Sequence, residues 1–401
     1  MNTSVKIFFL LMFVGCAGWS GWNIYSYFFD TEPPLIILEG IKNGDYCAGD
    51  VACFIKGKDA YKVGTVSLWL DGKPLVNDFK INAQSFERPF SLATKQLTQG
   101  RHQLRVAVAD ASYQKNTTTQ ELIFYVDNIP LQAALVKFDN DAKVFQGKTM
   151  HMQFQTNKEI KQATIHALSN QFMCVPEAPQ SLIFDCFIPI KSDEAPNEYL
   201  YSIEIIDHVG NKIILDNKFH VVLFPFKKQQ LVLKGDKVKT ENELGLPEKQ
   251  LEEDIKYVTE KSARIKLWQG TFYIPCDMRG VSTEFGTIRI TQERGKYQHN
   301  AVDILGTPRS VVWAAQDGTI VIKNRYAHSG LTVGIDHGCG VISLYFHLEN
   351  FANIEIGDTV KKGSPVGTLG MSGYASGYHL HFELRVMNVA IDPIQWTKPD
   401  F

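Results

Sequence analysis

Neither sign of charge dominates this sequence: 41 Lys and Arg stand against 43 Asp and Glu, a formal charge of -2. So balanced a chain has no broad basic footprint, which argues against nucleic acid or an anionic lipid surface gripped by bulk charge. Cysteine is sparse at 7 residues, and no two are spaced Cys-x-x-Cys, so thiolate zinc and dithiol redox chemistry lack support. Bias is also missing: 44% apolar, 21% charged and 11% aromatic residues exclude a disordered, collagen-like or multi-spanning membrane chain. What is present is a folding sequence of 401 residues, too long for one core. At about 100–200 residues per domain it should form two to four units.

One long uncharged run occurs, Ile7 to Phe29, with Lys6 before it and Asp30 and Glu32 after it. Its length suffices for a helix crossing a bilayer, which needs roughly 20 residues, and the flanking charges put the N-terminus in the cytoplasm. Trp19, Trp22, Tyr25 and Tyr27 suit a headgroup belt on the outer side. The expectation is a single-pass anchor over 7–29 in the bacterial inner membrane, with the rest of the chain on the periplasmic or extracellular side. A cleaved signal peptide is one alternative; a lipoprotein signal at Phe13-Val14-Gly15-Cys16 is another. Against both, the apolar stretch continues past Cys16. The other six cysteines are even in number, as suits disulfides in an exported chain, although six allow about 15 connectivities. Neighbours along the chain are the expected pairs: Cys47 with Cys53, Cys174 with Cys186 and Cys276 with Cys339.

The fold class is mainly β. Residues 33–128 show short alternating runs broken by turns, as in Val66-Ser67-Leu68-Trp69-Leu70 before Asp71-Gly72-Lys73, and 129–226 read as a second copy. The strand-to-Asp pattern, at Leu104 to Asp110 and again at Tyr199 to Asp207, resembles bacterial immunoglobulin-like modules, which implies two β-sandwiches acting as a spacer. Residues 227–269 turn to Lys, Glu and Gln with a helical period at Leu251, Ile255 and Val258 after Pro247, which predicts a charged helix or linker that either presents a solvated face or covers the neighbouring cleft.

Six of the eleven histidines fall between His299 and His381, in a region rich in Gly, Val and Ile. Three pieces concentrate the chemistry: His299-Asn300-Ala301-Val302-Asp303, Tyr345-Phe346-His347-Leu348 and His379-Leu380-His381-Phe382-Glu383. Along an extended strand, residues two or four apart share a face, so His299 can join Asp303, and His379 can join His381. Two imidazoles and one carboxylate make three ligands of a tetrahedral zinc site whose fourth position stays open, the mark of a catalytic centre.

With Ser282-Thr283-Glu284-Phe285-Gly286 ahead of the first piece, Val311 to Gly318, Ile335-Asp336-His337-Gly338, Gly357 to Gly363 and Asp392-Pro393, these pieces resemble the lysostaphin-type (LytM-like) zinc metallopeptidases that cut peptidoglycan cross-bridges. The likeness covers 270–396. It implies an antiparallel β-sheet metallopeptidase domain with the duplicated hybrid motif fold and one zinc ion per chain. The metal ligands it implies are His299, Asp303 and His381, and its non-ligand catalytic histidines fall on His347 and His379. The implied activity is zinc-dependent hydrolysis of wall peptide cross-links, with peptidoglycan as partner. The alternatives are a non-enzymatic activator of other wall hydrolases and a wall-binding adhesin; relatives of the activator kind lack part of this His and Asp set. Ala301 and Tyr378 depart from the usual Gly and Pro without removing a ligand. His328, His337 and Tyr345 read as structural. Arg289 reads as a substrate-carboxylate contact or a surface cation, and Glu383 as a possible partner behind a ligand.

Overall fold

The computed structural model describes residues 20–136, 142–230, 235–291, 295–399 and 401. Residues 7–19 of the expected membrane span, with Cys16, lie outside them; 20–29 are helical. Among the described residues no helix is long and apolar enough to cross a membrane. The chain forms two compact units, one of residues up to Pro130 with His208–Gly210, the other of Leu131–Asp207 with Asn211–Phe401.

Alternation builds the first unit. In Gly100–Asp110 every second residue from His102 to Asp110 is buried, as a strand with one face on a core demands. Six strands form its sheet, dominated by the antiparallel pair Val51–Leu70 and Lys73–Leu92. Asp71 and Gly72 join them with φ of 50° and 76°, the left-handed pair that matches the twist of a hairpin. Cys47 and Cys53 lie in its apolar core as free thiols rather than the expected disulfide. Burial pushes the Cys53 thiol up to about 11.

The second unit begins with an eight-stranded sheet over residues 133–222. Cys174 and Cys186 face each other across two of its strands and are bonded, as expected. This sheet is no free spacer. Phe187 packs at a tilt against Trp396 at 5.1 Å, Trp396 donates its indole N–H to Thr149 at 3.1 Å, and Lys266 pairs with buried Asp185 at 2.7 Å.

The C-terminal part of this unit is organised by an eight-stranded sheet whose central path runs Val302–Leu305, Leu380–Val386, Val341–Leu348, Gly330–Asp336 and Gly318–Tyr326. One face, through Tyr345, Phe382, Leu384, Val333 and Ile335, packs into a core with Trp268, Phe272 and Trp396. The other face carries Ile342, Leu344 and Phe346 and is partly covered by the helix Glu248–Lys261, which buries Leu251 and Ile255 there. Of the readings open for this charged segment, the helix that covers its neighbour is the one found over Glu248–Lys261, because its apolar stripe meets an apolar strip of sheet. Cys276 and Cys339, expected as a pair, are separate buried thiols in the core, their pKa values pushed up to about 12 by burial.

Candidate metal centre

Strand register assembles the site. Asp303 stands opposite His381, and Phe346 opposite His381 on the other side, so all three project from one face of the sheet. His299 arrives differently from the expectation. It sits in the turn between Gly295–Gln298 and Val302–Leu305, not on a strand with Asp303, and is held there by a backbone bond to Thr287 O at 2.9 Å. A bent connection of three residues still brings its ring over the carboxylate.

His299 Nε2, Asp303 Oδ1 and His381 Nδ1 form a triangle with sides of 3.0 Å each. A tetrahedral ion bound at about 2.0–2.1 Å holds its donors about 3.3 Å apart. Three lone pairs this close repel unless a proton or cation lies between them, so this donor set fits a divalent metal. His299 is almost wholly buried, and burial lowers its pKa to about 4, which keeps the imidazole neutral, the form a ligand needs. Asp303 is held ionised well below the usual carboxylate range: burial opposes this, but His299 and His381 outweigh it.

His347 and His379 lie beside this triangle, their rings 4.8 Å apart. Simple alternation would turn His347 away, since it follows Phe346, which shares the face of His381. Two features re-aim it: the register breaks between Leu331 and Val333 on the neighbouring strand, and His347 has φ of 60°. A bulge with a left-handed non-glycine residue is a costly local conformation that redirects a side chain. Gly370 makes this possible, because a Cβ there would lie 2.6 Å from His347 O and 2.2 Å from Glu349 N. His347 Nδ1–H donates to Ser372 O at 2.8 Å and His379 Nδ1–H to Gly377 O at 2.9 Å, which assigns both rings the tautomer with an unprotonated Nε2. Burial holds the pKa of both rings low.

Arg289 needs correcting. It is no free surface cation: its largely buried guanidinium lines the cleft, paired with Asp303 Oδ2 and bonded to Thr283 Oγ1 at 2.9 Å. The carboxylate is thereby fixed with Oδ1 toward the histidines. Behind His381, Glu383 Oε2 lies 3.6 Å from Nε2, as its parity suggested, and pairs in turn with Arg385. His337 is wholly buried in a structural network, with Nε2 at 2.8 Å from Ser343 Oγ, and Tyr345 Oη accepts Ala315 N–H. A cleft beside the triangle is bounded by Tyr297, Asn300, His328 and Tyr374 and by Glu248 at the helix start.

Residues 297–393 match Peptidase family M23. The chain is 32% identical over 120 residues to the peptidoglycan DD-endopeptidase ShyC of Vibrio cholerae, covering 30% of this chain and 28% of that one. It is 34% identical over 101 residues to the DD-carboxypeptidase/endopeptidase Mpg of Neisseria meningitidis, covering 25% and 23%. The murein hydrolase activator EnvC of Escherichia coli is 30% identical over 105 residues, covering 26% and 25%. The match therefore spans about a quarter of the length of these relatives.

Proposed function

We propose that this chain, whose C-terminal part is an M23 peptidase domain, is a zinc-dependent endopeptidase that hydrolyses peptide cross-links of bacterial peptidoglycan. The observation that carries the proposal is the donor triangle of His299, Asp303 and His381 with two further histidines at its edge. Zinc held by those three residues supplies an electrophile for the scissile carbonyl and acidifies a water near neutral pH. Arg289 keeps the Asp303 carboxylate oriented, and the sheet register keeps His381 beside it. Ser372 O and Gly377 O fix the tautomers of His347 and His379, so each offers Nε2 to a proton at the reaction centre. One of the two takes the proton of the attacking water on Nε2 and returns it to the leaving amine. The names of ShyC and Mpg, both endopeptidases, support the substrate class.

EnvC supports a second reading, an activator of other hydrolases. Five His and Asp side chains converging at one cleft favour the enzyme. We further read Ile7–Phe29, flanked by Lys6 and Asp30, as the anchor that holds the domain on the outer side of the inner membrane. Alkaline carbonate extraction checks it: the full chain should stay with the membrane, and complete release would refute the anchor. For the activity, the protein is incubated with purified sacculi and released fragments are read by mass spectrometry. Cleaved cross-links, lost with chelator and restored by zinc, are expected. Undiminished release in chelator, or no release with zinc bound, would overturn the reading.

A further inference from the structure

The helix Glu248–Lys261 lies outside the M23 match at 297–393, yet two of its carboxylates reach the groups directly behind the active-site histidines. Glu248 and Glu252 are four residues apart and so share a helix face. Glu252 receives a two-pronged guanidinium bond from Arg385, at 2.7 and 2.9 Å. Arg385 is buried and pairs through Nε with Glu383, whose other oxygen stands 3.6 Å from His381 Nε2. Because His381 turns Nδ1 toward Asp303, Nε2 is the ring nitrogen left for Glu383. Ligating histidines are commonly oriented in this way, by a carboxylate on the nitrogen away from the metal.

Glu248 serves the other half of the cleft. One oxygen accepts Ser329 Oγ–H, and the other accepts the backbone N–H groups of His328 at 3.0 Å and Ser329 at 3.2 Å. Ser329 O in turn accepts the N–H of His347 at 2.8 Å, at the position where the strand is bulged and φ is positive. A left-handed non-glycine residue persists only where its surroundings over-determine it, and this bond is part of that support. Leu251 and Ile255 seat the helix on Ile342, Leu344 and Phe346, and Tyr326 Oη bonds Asp254 at 2.5 Å, so both glutamates are delivered by a fixed element.

We infer that Glu248 and Glu252 are positioning residues of the peptidase, Glu252 setting the ligand His381 through Arg385 and Glu383, and Glu248 setting His347 through Ser329. The helix before the M23 match is then a working part of the active site. The inference rests on the zinc-peptidase reading. The two roles separate by readout. In the full chain, Glu252→Gln replaces one of the guanidinium's two carboxylate partners by a neutral amide, leaving Glu383 alone to hold it, and loosens His381. The zinc dissociation constant, measured by chelator competition, should rise about tenfold, and the visible spectrum of the cobalt-substituted protein should shift. Glu248→Gln leaves zinc affinity and the cobalt spectrum unchanged but lowers kcat on a soluble cross-linked muropeptide dimer by about 10- to 100-fold at constant KM, the scale of a misplaced reacting group. Glu253→Gln makes the same charge change on the same helix at a residue that pairs with Lys249 at 3.2 Å, and should match wild type in all three readouts. Wild-type zinc affinity and cobalt spectrum in Glu252→Gln, or wild-type kcat in Glu248→Gln, would overturn the inference. Failure of the peptidase reading shows separately, in the unmutated chain, as no bound zinc or no cleavage of the dimer.

Discussion

Replacing Asp303 by Ala removes one metal donor and, in the same step, the partner of a buried cation. Arg289 and Asp303 have side chains only 13% and 4% exposed, and stripping one member from a buried ion pair costs about 3–5 kcal/mol because the other charge is left uncompensated. That loss should appear in the metal-free protein, by urea unfolding in chelator. Metal binding is a separate account. If the roughly 10–16 kcal/mol of a structural zinc site is spread over four ligands, one carboxylate contributes about 3–4 kcal/mol, or about 10²- to 10³-fold in affinity. The double variant Asp303→Ala with Arg289→Ala divides the two effects: it removes the orphaned guanidinium and should regain about 1–3 kcal/mol of apo stability, the scale of coupling between contacting residues, but no zinc affinity. Hydrolysis of sacculi should be absent in both. Zinc bound to Asp303→Ala with wild-type affinity would refute the ligand assignment. A double variant no more stable than the single would refute the ion-pair reasoning.

His347→Ala should keep its zinc and lose about 10²- to 10⁴-fold in turnover, the span of a general acid or base; unchanged turnover on the muropeptide dimer would strip His347 of that role. Asp185 is held at about 2, against the effect of its burial, by His151, Lys266 and Gln153. A depressed carboxyl adds stability that is complete above the unfolded value of about 3.9 and fades as pH falls through the folded value, here about 2.6 kcal/mol at neutral pH. Asp185→Asn should therefore be destabilised by about 2.6 kcal/mol at pH 7 and by about half that at pH 3; a difference that ignores pH in urea titrations would contradict it. Alkylation of the denatured, unreduced chain should label Cys47, Cys53, Cys276 and Cys339 and spare Cys174 and Cys186. A disulfide-linked peptide containing Cys276 would show the thiol assignment to be wrong.

How far the sequence discloses this site depends on whether local period or chain-distant contact decides each residue. Asp303 and His381 were legible because each lies on a regular strand, where parity fixes the face and the pairing of Val302–Leu305 with Leu380–Val386 does the rest. His299 was legible by spacing alone; the strand invoked for it is a turn, and four residues of either geometry span the gap. Parity fails at His347. Phe346 faces His381, so the next residue belongs on the far side, and only a broken register with φ of 60° reverses that, with no glycine at the position to announce it. The glycine that permits the reversal is Gly370, more than twenty residues later, where backbone closes on backbone.

The pairing of Arg289 with Asp303 was hidden for a related reason. A cation between Ile288 and Ile290 has the look of a solvated edge residue, and its partner is fixed by tertiary packing rather than by any spacing. The helix makes the same argument in its strongest form. Leu251 and Ile255 announce an apolar stripe, and a stripe needs a surface, so the packed helix follows from periodicity once a sheet face is available. Its glutamates do not follow. In a run of Lys and Glu every carboxylate is equivalent to the eye, and Glu248 and Glu252 are singled out only because their side of the helix meets Ser329 and Arg385 while Glu253 meets Lys249 on the helix itself. A charged linker and a wall of an active site can therefore have the same composition, and what separates them is which side of the helix its two buried side chains occupy.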